Sequence, residues 1–78
     1  MKMYVLIQVG FGVIANSESL QKIADYYNAE TENGAKGGFF IHQIEIQKQA
    51  YSNMNFIDLY IYMRSLCNEE NKVNALNI

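Results

Sequence analysis

Only two side chains in this sequence have the chemistry of a nucleophile and its base: Cys67 and His42, with Asp58 available to orient the imidazole. Each type occurs once, and no local spacing brings the pair together. A lone histidine on an apolar strand face is more often a packed, hydrogen-bonded core residue, and a lone cysteine behaves as a small hydrophobe. Asp25, Glu45 and Asp58 fall on three separate predicted elements, so they do not form a carboxylate pair for acid–base work. One cysteine and one histidine also leave a structural zinc site short of nitrogen and sulfur ligands. The expectation is a protein with no catalytic residues, no metal site and no cofactor.

Two backbone features could bind an anion. Gly10-Phe11-Gly12-Val13-Ile14-Ala15 has the G-x-G-x-x-A form of a dinucleotide fingerprint, which works by bringing backbone amides to a pyrophosphate at a helix N-terminus. Here Val13 and Ile14 continue the strand pattern, and the chain is too short for a two-half nucleotide fold, so the glycines are read as easing a bend in a strand. At the predicted helix start Ser17-Glu18-Ser19, Glu18 already supplies a negative charge to the exposed amides, and capping accounts for the residues.

The elements that would position these groups follow from hydrophobic period. Met3, Val5, Ile7, Val9, Phe11 and Val13 form an unbroken odd-numbered apolar series, predicting one strand over Met3–Ile14. Its even face, with Tyr4, Leu6 and Ile14, is half apolar, as expected of a strand covered on both sides. Ser17 is the expected N-cap of a helix whose stripe is Leu20, Ile23, Ala24 and Tyr27 and which ends near Asn28. A polar loop with Asn33-Gly34 as its turn leads to a second strand, Phe39–Gln47, in which Phe40, His42, Ile44 and Ile46 alternate with more polar neighbours. Lys48–Asn55 reads as a connector. Phe56–Met63 alternates Ile57, Leu59, Ile61 and Met63 with Phe56, Asp58, Tyr60 and Tyr62, and predicts a third strand paired with the second. Leu66, Val73 and Leu76 allow a short C-terminal helix. The expected fold is α+β: one domain over residues 1–78, with a three-stranded sheet in the order β-α-β-β.

Composition narrows the function classes. With 50% apolar or aromatic residues and 18% charged, the 78-residue chain is a globular type rather than a disordered one. A net charge of −2 is too weak for a phosphate-tracking surface and too weak to imitate DNA, which disfavours direct nucleic-acid binding. No stretch approaches a membrane span. The apolar run after Lys2 has the outline of a signal peptide, but Gln8 and two glycines interrupt it, so none is expected. An unpaired cysteine and no Asn-x-Ser/Thr acceptor fit a cytoplasmic setting. A chain of this length buries roughly 60–65% of its unfolded surface. With no disulfide or zinc to help, self-association is the expected supplement.

If the odd face of the first strand packs on the helix together with Ile57, Leu59, Ile61 and Met63, the opposite side must present Tyr4, Leu6, Phe56, Tyr60 and Tyr62. Tyrosine-rich apolar patches of this kind mark interaction surfaces. Arg64 at the end of that patch suits an interface hot spot. The function expected is a non-enzymatic, self-associating binding protein that occupies a macromolecular partner. The alternative is an oligomer holding a nucleotide-like anion through tyrosine stacking, Lys36, Arg64 and the amides of Gly37 and Gly38.

In size, in its Asn/Ile/Lys/Tyr-rich composition without proline, and in the pattern of Tyr4–Ile14 followed by Ser17–Asn28, the chain resembles small accessory and counter-defence proteins of AT-rich tailed bacteriophages. The resemblance covers the whole chain but is one of composition, and it carries over no functional residues. It implies an inhibitor of a host enzyme or defence complex, acting in the host cytoplasm.

Overall fold

The computed structural model describes residues 1–35 and 37–73. The elements are β1 (Lys2–Gln8), β2 (Gly12–Ser17), α1 (Leu20–Glu32), β3 (Phe39–Glu45), α2 (Lys48–Asn53), α3 (Phe56–Leu66), a 3-10 turn (Glu69–Asn71) and the two-residue β4 (Lys72–Val73). The strands form one antiparallel sheet in the order β2-β1-β3-β4. The α+β class is as expected; among the described residues the sheet has four strands rather than three, and helices pack on both its faces.

β1 is the central strand, and its two apolar faces explain the layering. Met3, Val5 and Ile7 join Ile44 and Ile46 of β3 on one face, against Leu59 and Met63 of α3. Leu6 joins Ala15, Phe39 and Ile41 on the other, against Ile23 of α1, with Leu20 and Tyr27 packed at its margin. Val5, Leu6, Ile41 and Met63 are completely enclosed. Each such side chain contributes roughly 1.5–3 kcal/mol relative to leaving it in water.

The single strand expected over Met3–Ile14 is in fact a hairpin. The Phe11 N–H donates to the Gln8 carbonyl at 3.0 Å, and Gly10, third in that turn, has φ +90°. That left-handed conformation is one glycine adopts without a steric penalty. The odd-numbered series looked continuous because the turn preserves parity, yet Val9 and Phe11 lie on the turn and are exposed. A bulge then shifts the phase of β2. Leu6 pairs with Ala15 but Ile7 with Val13, so Ile14 is the extra residue and Val13 and Ala15 face opposite sides.

α1 starts later than expected. Ser17 ends β2, and Ser19 is the N-cap, its side chain accepting from the Lys22 amide, while the Ser17 hydroxyl accepts from the Ser19 amide at 3.0 Å. The helix runs past Asn28 to Glu32 and stops at Asn33 and Gly34, whose φ is +87°.

The largest correction concerns Phe56–Met63, which is helix and not strand. Asn55 caps α3, accepting from the Asp58 amide at 2.8 Å and donating to its carboxylate at 2.9 Å. Leu59 and Met63, four residues apart, are the buried side, whereas the β-branched Ile57 and Ile61 point to solvent. The connector contributes the short α2, and the C-terminal helix is replaced, as far as Val73, by the 3-10 turn and β4. Leu76 lies outside the described residues.

Met63→Ala should cost about 2–5 kcal/mol. That is a large share of the stability of a domain this size, and urea unfolding should show a lower midpoint with an unchanged slope.

Candidate functional site

α3 covers one end of the odd face of the sheet and leaves the other open. There a cleft of about 420 Å³ lies over Ile7, Phe40 and His42, between the β1–β2 turn and the segment from Arg64 to Lys72. It brings together the histidine, the cysteine and the arginine of the chain. His42, Arg64, Cys67, Glu69 and Lys72 all line it.

Among the described residues His42 is the only polar or charged one that is buried, 8% exposed. Its Nδ1 lies 2.8 Å from Asn71 Oδ1. The orientation of the Asn71 amide is set by two further bonds, because its Oδ1 accepts from the Asn68 amide at 2.9 Å and its Nδ2 donates to the Leu66 carbonyl at 2.7 Å. An oxygen accepts only, so Nδ1 is the donor in this contact. One asparagine side chain thus holds the imidazole, closes the 3-10 turn as a capping box and ties that turn to the end of α3.

Cys67 shares the cleft with His42, but its thiol donates to the Met63 carbonyl at 3.3 Å. Burial pushes the thiol pKa above its ordinary value, against the opposing pull of the Arg64 charge. Asp58, the residue expected to orient the imidazole, sits nine residues before Cys67, about 13 Å away along α3, and is engaged with Asn55. The three groups do not form a triad. Among the described residues no group of three or more His, Cys, Asp or Glu could hold a metal ion, and no helix is long and apolar enough to cross a membrane.

The cationic side chains are arranged differently. Lys72 pairs with Val5's partner His42 across β3 and β4, and its ammonium lies 4.2 Å from the centre of the Phe40 ring. It also lies 3.6 Å from the Glu69 carboxylate, itself 90% exposed, a pairing worth little in water. Arg64 is exposed at the junction of the cleft with a second, shallower groove, where Phe11, Gly12 and Val13 face Tyr60 and Ile61.

That groove opens onto an apolar surface. Phe56, Ile57 and Ile61 on α3 and Phe11 on the turn are each about two-thirds exposed or more. The Phe56 and Tyr60 rings touch, with centroids 4.3 Å apart. A helix packed on a sheet normally turns a polar face outward; α3 turns out these residues instead.

The chain matches no known family model. Neither the curated proteins nor the solved structures contain a match. The functional reading therefore rests on these two surfaces.

Of the interface residues expected from sequence, Phe56, Tyr60 and Arg64 meet along α3. Leu6 does not join them; it is fully buried beneath α1, and Tyr4 packs at the edge of that same core. Tyr62 packs against the opposite core, under α3. The physical reason is that α1 and α3 already cover the parts of the sheet where Tyr4, Leu6 and Tyr62 pack, so no open tyrosine-bearing face remains. For the alternative ligand site, Lys36 lies outside the described residues. Gly37 and Gly38 are exposed, and the Gly38 carbonyl accepts from the Val9 amide at 2.9 Å. Of that set only Arg64 lines the cleft. Phe11, Ile57, Ile61, Phe40 and Lys72 were not expected. The Asn55-x-x-Asp58 cap was the signal that would have shown α3 and hence its outer face.

Two measurements follow. A raised thiol pKa leaves less thiolate at neutral pH, so iodoacetamide should alkylate Cys67 at pH 7.5 more slowly than the same cysteine in the unfolded chain. The same shift makes the fold bind its proton more tightly than the unfolded chain does. The contribution of Cys67 to stability is therefore kept below the ordinary value of 9.0 and lost as pH rises past it. Separately, Asn71→Ala strands the imidazole N–H and should lower stability by about 1–3 kcal/mol in urea unfolding.

Proposed function

We propose that this chain is a small non-enzymatic binding protein that acts by occupying a macromolecular partner, through the outer face of α3 and the β1–β2 turn. One observation carries the reading: Phe11, Phe56, Ile57 and Ile61, all largely exposed, border the Tyr60 ring and the groove beside it. Withdrawing their exposed surface from water is worth about 4–8 kcal/mol gross. Association itself costs roughly 4–15 kcal/mol, so the patch needs a complementary partner and cannot bind by area alone. Arg64, at the polar end of the groove, is the side chain suited to fix orientation.

The resemblance to phage accessory proteins supports a host enzyme or defence complex as the partner, reached in the host cytoplasm. Self-association through the same face is part of this reading, since a patch left exposed in the free protein is the natural contact for a second copy.

The test uses the double substitution Ile57→Ser/Ile61→Ser, which touches no buried residue. The wild-type chain should run in light scattering above the 9.0 kDa monomer at high micromolar concentration, and an immobilised form should retain a defined protein from bacterial lysate. The variant should lose both behaviours and keep the helical circular dichroism of the parent. A wild-type monomer that retains nothing, or a variant that behaves like wild type, would overturn the assignment.

A further inference from the structure

The apolar patch leaves the cleft on the other side of Arg64 unexplained. We infer that this cleft is a binding site for a small organic phosphate. The inference does not depend on the protein-docking reading.

The electrostatic case begins with the balance of charge. The whole chain carries −2, yet the cleft is lined by two basic side chains, Arg64 and Lys72, against one carboxylate. That carboxylate, Glu69, is held only by a 3.6 Å contact with Lys72 and is almost fully solvated, so an arriving dianion can displace it at little cost. Arg64 has no ion-pair partner among the described residues. A guanidinium unclaimed by a carboxylate presents the forked donor set that phosphate oxygens match.

The second argument is preorganisation. Lys72 does not wave in solvent; its ammonium is drawn over the Phe40 ring, within the range of a cation–π contact. His42 lines the cleft with its ring held at Nδ1 by Asn71. A buried hydrogen-bonded network in so small a core is what holds a polar recognition group in one orientation.

The third argument is shape. The volume of about 420 Å³ exceeds what an inorganic anion fills and falls in the range of sites for small organic ligands. Its lining offers the apolar Ile7 and the Phe40 ring to the body of the ligand, beside the Arg64 and Lys72 cations that would meet its charged end. A phosphate monoester of mononucleotide size suits both halves.

The test is a ¹H–¹⁵N NMR titration of the full chain with inorganic phosphate, AMP and adenosine, together with thermal melting. Phosphate should shift the Arg64 side-chain resonance and the amides of Asn68 and Lys72. AMP should shift the same set plus Phe40 and His42 at lower concentration and raise the melting temperature, while adenosine should do neither. Lys72→Gln, remote from the α3 patch, and Arg64→Gln should each weaken AMP binding about tenfold with the ligand-free spectrum otherwise preserved. The site is refuted if phosphate and AMP leave these resonances in place, or if their shifts survive both substitutions. Because the readout lies in the cleft, either result leaves the fate of the protein-docking reading to its own experiment.

Discussion

The whole arrangement depends on burying both faces of one short strand. β1 presents Met3, Val5 and Ile7 to one side and Leu6 to the other, and all four are buried. A strand like this is stable only between two layers, so α1 and α3 must lie on opposite faces of the sheet. In a chain this small, two helices exhaust the available cover. α1 meets the demand with an apolar stripe. α3 meets it with Leu59 and Met63 as its buried residues and Tyr62 and Leu66 at their margin, which leaves Phe56, Ile57 and Ile61 facing outward and one end of the sheet uncovered. Both candidate surfaces are products of that shortage: the exposed helix face, and the cleft beyond the helix end.

How much of this the sequence disclosed depends on whether neighbours in the chain decide the outcome. α1 and β3 were legible because their patterns are local: an apolar stripe of period 3.6, and an alternating run bounded by glycine. The hairpin was hidden because three connecting residues leave the odd–even count intact, and only the positive φ of Gly10 and the displaced Ile14 reveal the break. α3 was hidden because Leu59 and Met63 satisfy periods of two and of four equally. The choice between them is made by tertiary burial and by Asn55 at the cap. The misplacement of Tyr4, Leu6 and Tyr62 follows directly, since a third strand would have left open a sheet face that a helix in fact occupies.

The same limit applies to chemistry. His42, Arg64, Cys67 and Lys72 are spread over thirty positions and share no motif, so nothing in their spacing announces a site. They converge because α3 ends just short of the sheet edge and the chain doubles back through a 3-10 turn into β4. Asn71 is the least conspicuous residue in the sequence and the most connected in the cleft, with bonds to His42, Asn68 and Leu66. Its role is readable only from where the polypeptide brings it.

The strand order also has a kinetic side. β1 and β2 pair residues between 4 and 13 positions apart, whereas the β1–β3 ladder joins partners separated by 31 to 43. Closing the longer loop costs about 1.2 kcal/mol more in chain entropy, two doublings of length at about 0.6 kcal/mol each. The hairpin is therefore the nearest contact available to a chain leaving the unfolded ensemble, and the β1–β3 ladder requires the longer closure. Until then β1 carries its unpaired edge and both greasy faces into water, which makes the half-built hairpin the state from which this protein is most exposed to aggregation.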